Sequence, residues 1–301
     1  MKYSDLLKSC RLCNRFCEIN RLEGQLGVCK ANDKVKIARA ALHKWEEPPI
    51  TGKNGSGTVF FSHCNLKCVF CQNHEISQEY NGAYIEIKRL SEIFLELQQQ
   101  GAANINLVTP THYIPQIIEA IEIARVNGLI LPIVYNTNGY DSLEAIKLLD
   151  GYIDIYLPDF KYFNDKYSKK YSKVSNYEKN IIPLLREMIN QVGTPTFNKE
   201  GILQKGVIIR HLMLPGLLFD SKKVIDEIFN NFGSEVYISL MNQYTPLNKV
   251  SDYPEINKHL NPKHYESLVN YAIELGITQG FIQEDGTNSS VYVPDFSVHP
   301  K

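Results

Sequence analysis

The sequence predicts an α/β fold with parallel pairing, either an open doubly wound sheet or a barrel, complete or partial. Three observations predict it. From about Gly57 onward, short β-branched runs alternate with longer amphipathic stretches, six of each, an order that implies buried strands and right-handed crossovers. The chain shows no repeat or low-complexity tract, and its 301 residues suit one large α/β domain plus a small appendage.

The elements follow in order. TVFFS (58–62) reads as the first strand and SEIFLELQQQG (91–101) as the first long helix, with Ser91 available as N-cap. INLVT (105–109) and IPQIIEAIEIARVNG (114–128) form the second strand–helix pair. PIVYN (132–136) and DSLEAIKLLD (141–150) form the third, with Asp141 as cap. IDIYL (153–157) is followed by KYFNDKYSKKYSKVSNY (161–177), a Lys- and Tyr-rich insertion read as a solvated loop over one strand mouth. Pro183 should start or kink the helix LLREMINQVG (184–193), because it cannot donate in a helix interior. VIIRHL (207–212), SKKVIDEIFNNFG (221–233, capped by Ser221), VYISL (236–240) and PKHYESLVNYAIELG (262–276) complete the series, several helices ending on a C-cap glycine. GFIQEDGTNSS carries no readable pattern. The expected organisation is a cysteine-rich metal-binding segment at 1–50, the β/α domain at 51–285 and a tail at 286–301.

The formal net charge is -1, with 44% hydrophobic and 22% charged residues. That balance gives no support for a nucleic-acid or membrane-surface partner. MKYSDLLKSC lacks the apolar core of a signal peptide, and no apolar run reaches spanning length. The expected address is the cytoplasm, where thiols stay reduced and clustered cysteines read as metal ligands or redox groups.

All seven cysteines lie between Cys10 and Cys71, and confinement of that kind argues for coordination rather than core filling. Three of them, Cys64, Cys68 and Cys71, sit in HCNLKCVFCQN directly after the first strand, at the end of the sheet where α/β proteins bind ligands. Three thiolates can hold three corners of a four-iron cube and leave the fourth iron open. Phe70, beside Cys71, could limit solvent access.

The Cys-x3-Cys-x2-Cys loop on this strand resembles the radical S-adenosylmethionine (SAM) superfamily. With HKWEEPPITG before it and NLVTPTHY after it, the chain is similar to the pyruvate formate-lyase activating enzyme-like iron–sulfur proteins, in a short branch with a cysteine-rich N-terminus. The resemblance implies a partial (β/α)6 barrel, a [4Fe-4S] cluster on Cys64, Cys68 and Cys71, and S-adenosylmethionine chelated by the unique iron. It also implies reductive cleavage to methionine and a 5′-deoxyadenosyl radical that abstracts hydrogen from a substrate. An electron donor such as flavodoxin or ferredoxin would feed the cluster.

Such proteins carry a glycine-rich turn after the second strand; this chain has TPTHY, so Thr109, Thr111 and backbone carbonyls are the candidates there, with His112 either a direct or a supporting residue. Asn136 and Asn138 lie at the third strand mouth, where amides bind ribose hydroxyls or a carboxylate, although Asn-Gly is equally a turn signal. Asp159 and Lys161 match an Asp-x-Lys that the family uses near SAM, with a buried structural pair as the alternative. Arg210 could fork onto the cofactor carboxylate. His211, of opposite strand parity, should face away. Asn242 and Gln243 are further candidates.

Cys10, Cys13, Cys17 and Cys29 make a closed set of four for a second metal, zinc or an iron–sulfur cluster, supplying folding energy that some thirty residues cannot draw from a core. Trp45, the only tryptophan, either bridges this segment to the barrel or walls a substrate entrance. The leading function is a glycyl-radical-activase-like oxidoreductase acting on a protein, peptide or small molecule. A zinc-stabilised binding module is the rival, with His63 as a fourth ligand that would close the site. A third reading keeps the radical chemistry but takes RNA or a ribosomal peptide, favoured only by the Lys/Tyr insertion.

Overall fold

The structure is a computed structural model and describes residues 3–283 and 296. Its strands are β1 (Val35–His43), β2 (Ser56–Phe61), β3 (Ala83–Ile85), β4 (Ile105–Val108), β5 (Ile133–Thr137), β6 (Ile155–Pro158), β7 (Thr196–Phe197), β8 (Leu203–Leu212), β9 (Tyr237–Met241) and β10 (Gly280–Ile282). They form one sheet in the order β10-β9-β8-β6-β5-β4-β2-β1-β3, with β7 paired to β8. The six expected strands are β2, β4, β5, β6, β8 and β9, which pair in parallel in that order. The path ends at β10 and β3 without closing, so the fold is a partial barrel.

Side-chain parity shows why the strands hold this curvature. Ile133, Tyr135, Tyr156, Val207 and Ile209 join the large core under the helices, while Val134, Ile155, Leu157 and Ile208 form a second core with Ile50 on the inner face. Continuing along the inner rows, Val134 gives way to Asn136, Leu157 to Asp159 and Ile208 to Arg210. An apolar floor thus rises to a polar rim at the carboxyl ends of the strands.

Four details differ from expectation. β1 lies in the segment assigned to the appendage, yet it pairs antiparallel with β2 and β3, so residues 35–43 belong to the sheet. The three expected caps are not caps. Helix Ile87–Gln99 starts a turn before Ser91, and helix Leu218–Phe232 starts before Ser221. Ser142 rather than Asp141 accepts from the Ala145 amide, because the Asp141 carboxylate is buried and engaged by the Tyr135 and Thr137 hydroxyls. Pro183 neither starts nor ends a helix: Tyr177–Val192 runs through it.

The fourth difference concerns the Lys/Tyr insertion. Tyr162, Tyr171 and Tyr177 are fully buried, and the lysines are engaged by Asp165, Glu255 and the Tyr253 hydroxyl. Its backbone carbonyls at Ser172 and Tyr171 accept from the Lys67 and Val69 amides at 3.1 and 2.9 Å. The segment is a packed brace for the cysteine loop, with Lys166, Lys169, Lys170 and Lys173 on its exposed side. The tail at 286–301 lies outside the described residues except Phe296, which packs edge-on against Phe60 at 5.5 Å.

Candidate active site

One cavity of about 590 Å³ opens at the carboxyl ends of the strands. Cys64, Cys68 and Cys71 line it, together with Thr109, Asn136, Asn138, Asp159, Lys161 and Arg210. Thr111 does not: it is fully buried and faces the four-cysteine compartment. Gln243 reaches the cavity, whereas Asn242 is not among its walls.

Each sulfur of the loop has a donor beside it. The Leu66 amide and Asn138 Nδ2 each approach Cys64 Sγ at 3.4 Å, the Ser172 hydroxyl lies 2.9 Å from Cys68 Sγ, and the Ser77 hydroxyl lies 3.3 Å from Cys71 Sγ. Burial, and then repulsion from the neighbouring sulfurs, pushes Cys64 up to about 12. Burial and Cys71 push Cys68 up to about 11, against the pull of Lys161, and burial also raises Cys71. The thiols therefore stay protonated until a metal displaces the protons. Buried sulfurs that share an open cavity and face ready donors fit a thiolate-ligated iron–sulfur cluster. Among the described residues no three or more His, Cys, Asp or Glu side chains are grouped as ligands of one ion; a cube takes one thiolate per iron and asks for sulfurs spread over its corners.

His63 lines the same cavity, but its Nδ1 lies 3.2 Å from the Cys29 carbonyl and its ring stacks on Tyr80 at 4.9 Å. His63 has φ +75°, and Thr109, where a glycine-rich turn was expected, has φ +57°. Both positions hold a conformation that normally costs an L-residue about 1–2 kcal/mol.

The strand-mouth groups are tied to one another. Asp159 accepts from Arg210 Nε at 2.9 Å and from Lys161 Nζ at 2.7 Å. Burial would raise its pKa, but Arg210 and Lys161 outweigh burial and hold the carboxyl below its usual range. Arg210 also donates Nη2 to Asn136 Oδ1 at 2.6 Å and faces Glu46 Oε2 at 3.5 Å. Each nitrogen of that guanidinium has a protein partner, so Arg210 holds Asp159 and Asn136 together while lining the cavity. Asn138 is likewise committed, donating to Cys64 Sγ and, at 2.7 Å, to Asn65 Oδ1. His211 points away and bonds the Phe160 carbonyl at 2.7 Å, as parity requires. His112 is buried, with Nε2 2.7 Å from the Ser62 carbonyl, so it supports the loop.

Cys10, Cys13, Cys17 and Cys29 line a separate, small cavity of about 20 Å³, which Asn65 and Arg21 also border. Gly27 is required there, because a Cβ would stand 2.9 Å from Cys17 Sγ. Arg21, fully buried, donates to the Asn32 and His112 carbonyls and lies over the Tyr113 ring. Arg15 donates to the Asn65 carbonyl. The four-cysteine lobe therefore grips the cysteine loop from behind. Sequence reasoning missed Asn65, Ser77 and Ser172, for which no local signal exists; Trp45, Glu46 and Glu47, of the segment read as either a bridge or a substrate-entrance wall, all line the cavity.

The radical SAM superfamily model matches residues 58–226, just over half of the chain. Two uncharacterized Methanocaldococcus jannaschii proteins are similar along the chain. MJ0674 is 32% identical over 278 residues, 89% of this chain and 75% of its own. MJ0808 is 26% identical over 56% of this chain and 54% of its own. Among solved structures, Streptococcus suis SuiB bound to its precursor peptide SuiA aligns with a TM-score of 0.53 at 17% identity, covering 74% of this chain and 47% of SuiB. The chain spans about half of SuiB, and the likeness is one of fold.

Proposed function

The chain belongs to the radical SAM superfamily, whose members carry a [4Fe-4S] cluster and S-adenosylmethionine, and from that premise we propose an oxidoreductase of the glycyl-radical-activase-like type. It would abstract hydrogen from a protein, peptide or small molecule and draw electrons from a flavodoxin- or ferredoxin-like donor. The observation that carries this reading is the convergence of Cys64, Cys68 and Cys71 with Asp159, Lys161 and Asn136 on one cavity. When bound, the cluster and SAM supply a 5′-deoxyadenosyl radical. The protein's own residues hold that chemistry. The three thiolates ligate the cluster, Asn138, Ser172 and Ser77 orient and stabilise them, and Lys161 remains a cation beside Cys68 because Asp159 anchors it. Asn136 Nδ2 and the Thr109 hydroxyl are the polar groups we assign to the methionyl and ribose parts of the cofactor. Phe60, Phe61, Leu66 and Phe70 line the walls and limit water.

Anaerobic reconstitution with iron and sulfide, then reduction with SAM, should yield 5′-deoxyadenosine measurable by mass spectrometry. A colourless, zinc-rich protein giving no 5′-deoxyadenosine would support the binding-module rival instead.

We further assign the second metal site to Cys10, Cys13, Cys17 and Cys29. Four thiols bordering one small cavity, without a repeated ferredoxin spacing, suit a tetrahedral zinc, which would have to draw them together, since no three of them are grouped as ligands of one ion. Metal analysis should return one zinc beside four irons per chain, and Cys13→Ser should remove the zinc and lower thermal stability. Eight irons and no zinc would overturn the assignment.

A further inference from the structure

Among the described residues, three carboxylates line the cavity, Glu46, Glu47 and Asp159, against two cations, Arg210 and Lys161. Asp159 is matched twice. Glu46 takes Arg210 Nη1 and accepts from Asn106 Nδ2 at 3.0 Å. Glu47 shares the field of Arg210 and a hydrogen bond with the Ser239 hydroxyl, but its Oε2 has no hydrogen-bond partner. Its side chain lines the cavity and the residue is 8% exposed. Arg210 only partly offsets the cost of burying an ionised carboxylate there, and a cationic ligand would supply the rest. His63 Nε2 is the other unpartnered atom on these walls, but it sits beside the cysteine loop, whereas Glu47 neighbours Arg210 and Ser239 on the opposite wall.

The position is rigid. The Glu47 carbonyl accepts from the Ile50 and Thr51 amides, and Pro48 and Pro49 fix the chain that follows. Trp45, Phe60 and Phe281 line the same cavity, and aromatic rings in such a wall can favour a cation. Burial, countered by Arg210, leaves the Glu47 carboxyl raised, so an incoming positive charge would also restore its ionised form.

We propose that Glu47 is a specificity-determining residue that binds an ammonium group of the substrate, so that the hydrogen-abstraction enzyme inferred above acts on an amine-bearing molecule such as a lysine side chain. The proposal rests on that reading of the cavity. The test uses reconstituted enzyme with SAM and no reductant, titrated calorimetrically with Nα-acetyl-lysine-N-methylamide and with the norleucine analogue. The lysine probe should bind at least tenfold more tightly. Glu47→Gln should abolish the preference, and Glu47→Asp should keep part of it. Equal affinities, no binding by either probe, or a preference that survives Glu47→Gln would overturn the assignment. So would a Glu47→Gln protein that loses affinity for SAM while keeping the preference, since Glu47 would then serve the cofactor. Should Glu47→Gln fail to fold, the wild-type probe pair and Glu47→Asp decide. Absence of 5′-deoxyadenosine in wild type would sink the radical reading while leaving ammonium binding measurable.

Discussion

Alanine at Cys64, Cys68 or Cys71 is expected to bring 5′-deoxyadenosine formation to background, a loss of roughly 10³-fold or more, equivalent to over about 4 kcal/mol of barrier. Two thiolates cannot hold a cube in a fixed orientation, and among the described residues the cavity offers no replacement thiol: the other four cysteines line a separate compartment. The neighbours of the sulfurs should behave differently. Ser172→Ala removes a hydroxyl 2.9 Å from Cys68 Sγ, and Asn138→Ala removes an amide 3.4 Å from Cys64 Sγ. Each should cost about 10–100-fold in cluster retention or activity. Iron content and the visible absorption of the reconstituted protein separate the two classes. A Cys variant that keeps full iron and full 5′-deoxyadenosine yield would remove that cysteine from the ligand set. His63→Gly gives the matching control: it relieves a positive φ and should leave iron binding intact, whereas loss of iron would make His63 a ligand and close the open site.

What was legible in the sequence was local. Buried parallel strands read as continuous apolar, β-branched runs, so β2, β4, β5, β6, β8 and β9 announced themselves. β1 did not, because VKIARAALH mixes charge and alanine, pairs antiparallel, and lies among cysteines that draw the eye to metal. The cysteine spacing was legible because a loop of eight residues fixes its own geometry. The partners of Arg210 were not. Asn136, Asp159 and Glu46 lie 74, 51 and 164 residues away in sequence, and only the curvature of the sheet brings them together. The same holds for the Lys/Tyr insertion: its composition is that of a solvated loop, and its tyrosines are buried because the cysteine loop lends them backbone donors. Helix starts were misplaced where tertiary packing rather than a capping side chain sets the first turn, as at Ile87 and Leu218.

Arg210→Met should be the most destabilising single change at the strand mouths, costing about 3–5 kcal/mol, because removing one partner leaves buried charges uncompensated. Arg210, Asp159, Glu46 and Lys161 side chains are all less than one-fifth exposed, so solvent screens little of that loss. The pH dependence identifies the cause. In the intact protein burial raises Asp159, but Arg210 and Lys161 outweigh it and hold its pKa below the unfolded value of about 3.9. That contribution to stability is complete above the unfolded value and is lost as pH falls through the folded one. Without Arg210, burial dominates and the folded pKa moves up, so ionised Asp159 becomes a liability that grows as pH rises. Glu46, already raised by burial against the pull of Arg210, moves further in the same direction. The stability gap between the two proteins should therefore be widest near neutral pH and narrow below about pH 4, where both carboxyls take up protons. Urea unfolding midpoints at the two pH values, followed by near-ultraviolet circular dichroism of the buried tyrosines, measure it. A gap independent of pH would mean that the Arg210 side chain acts through packing, and Arg210→Lys then distinguishes a need for charge from a need for the three-way fork that holds Asp159, Asn136 and Glu46 together.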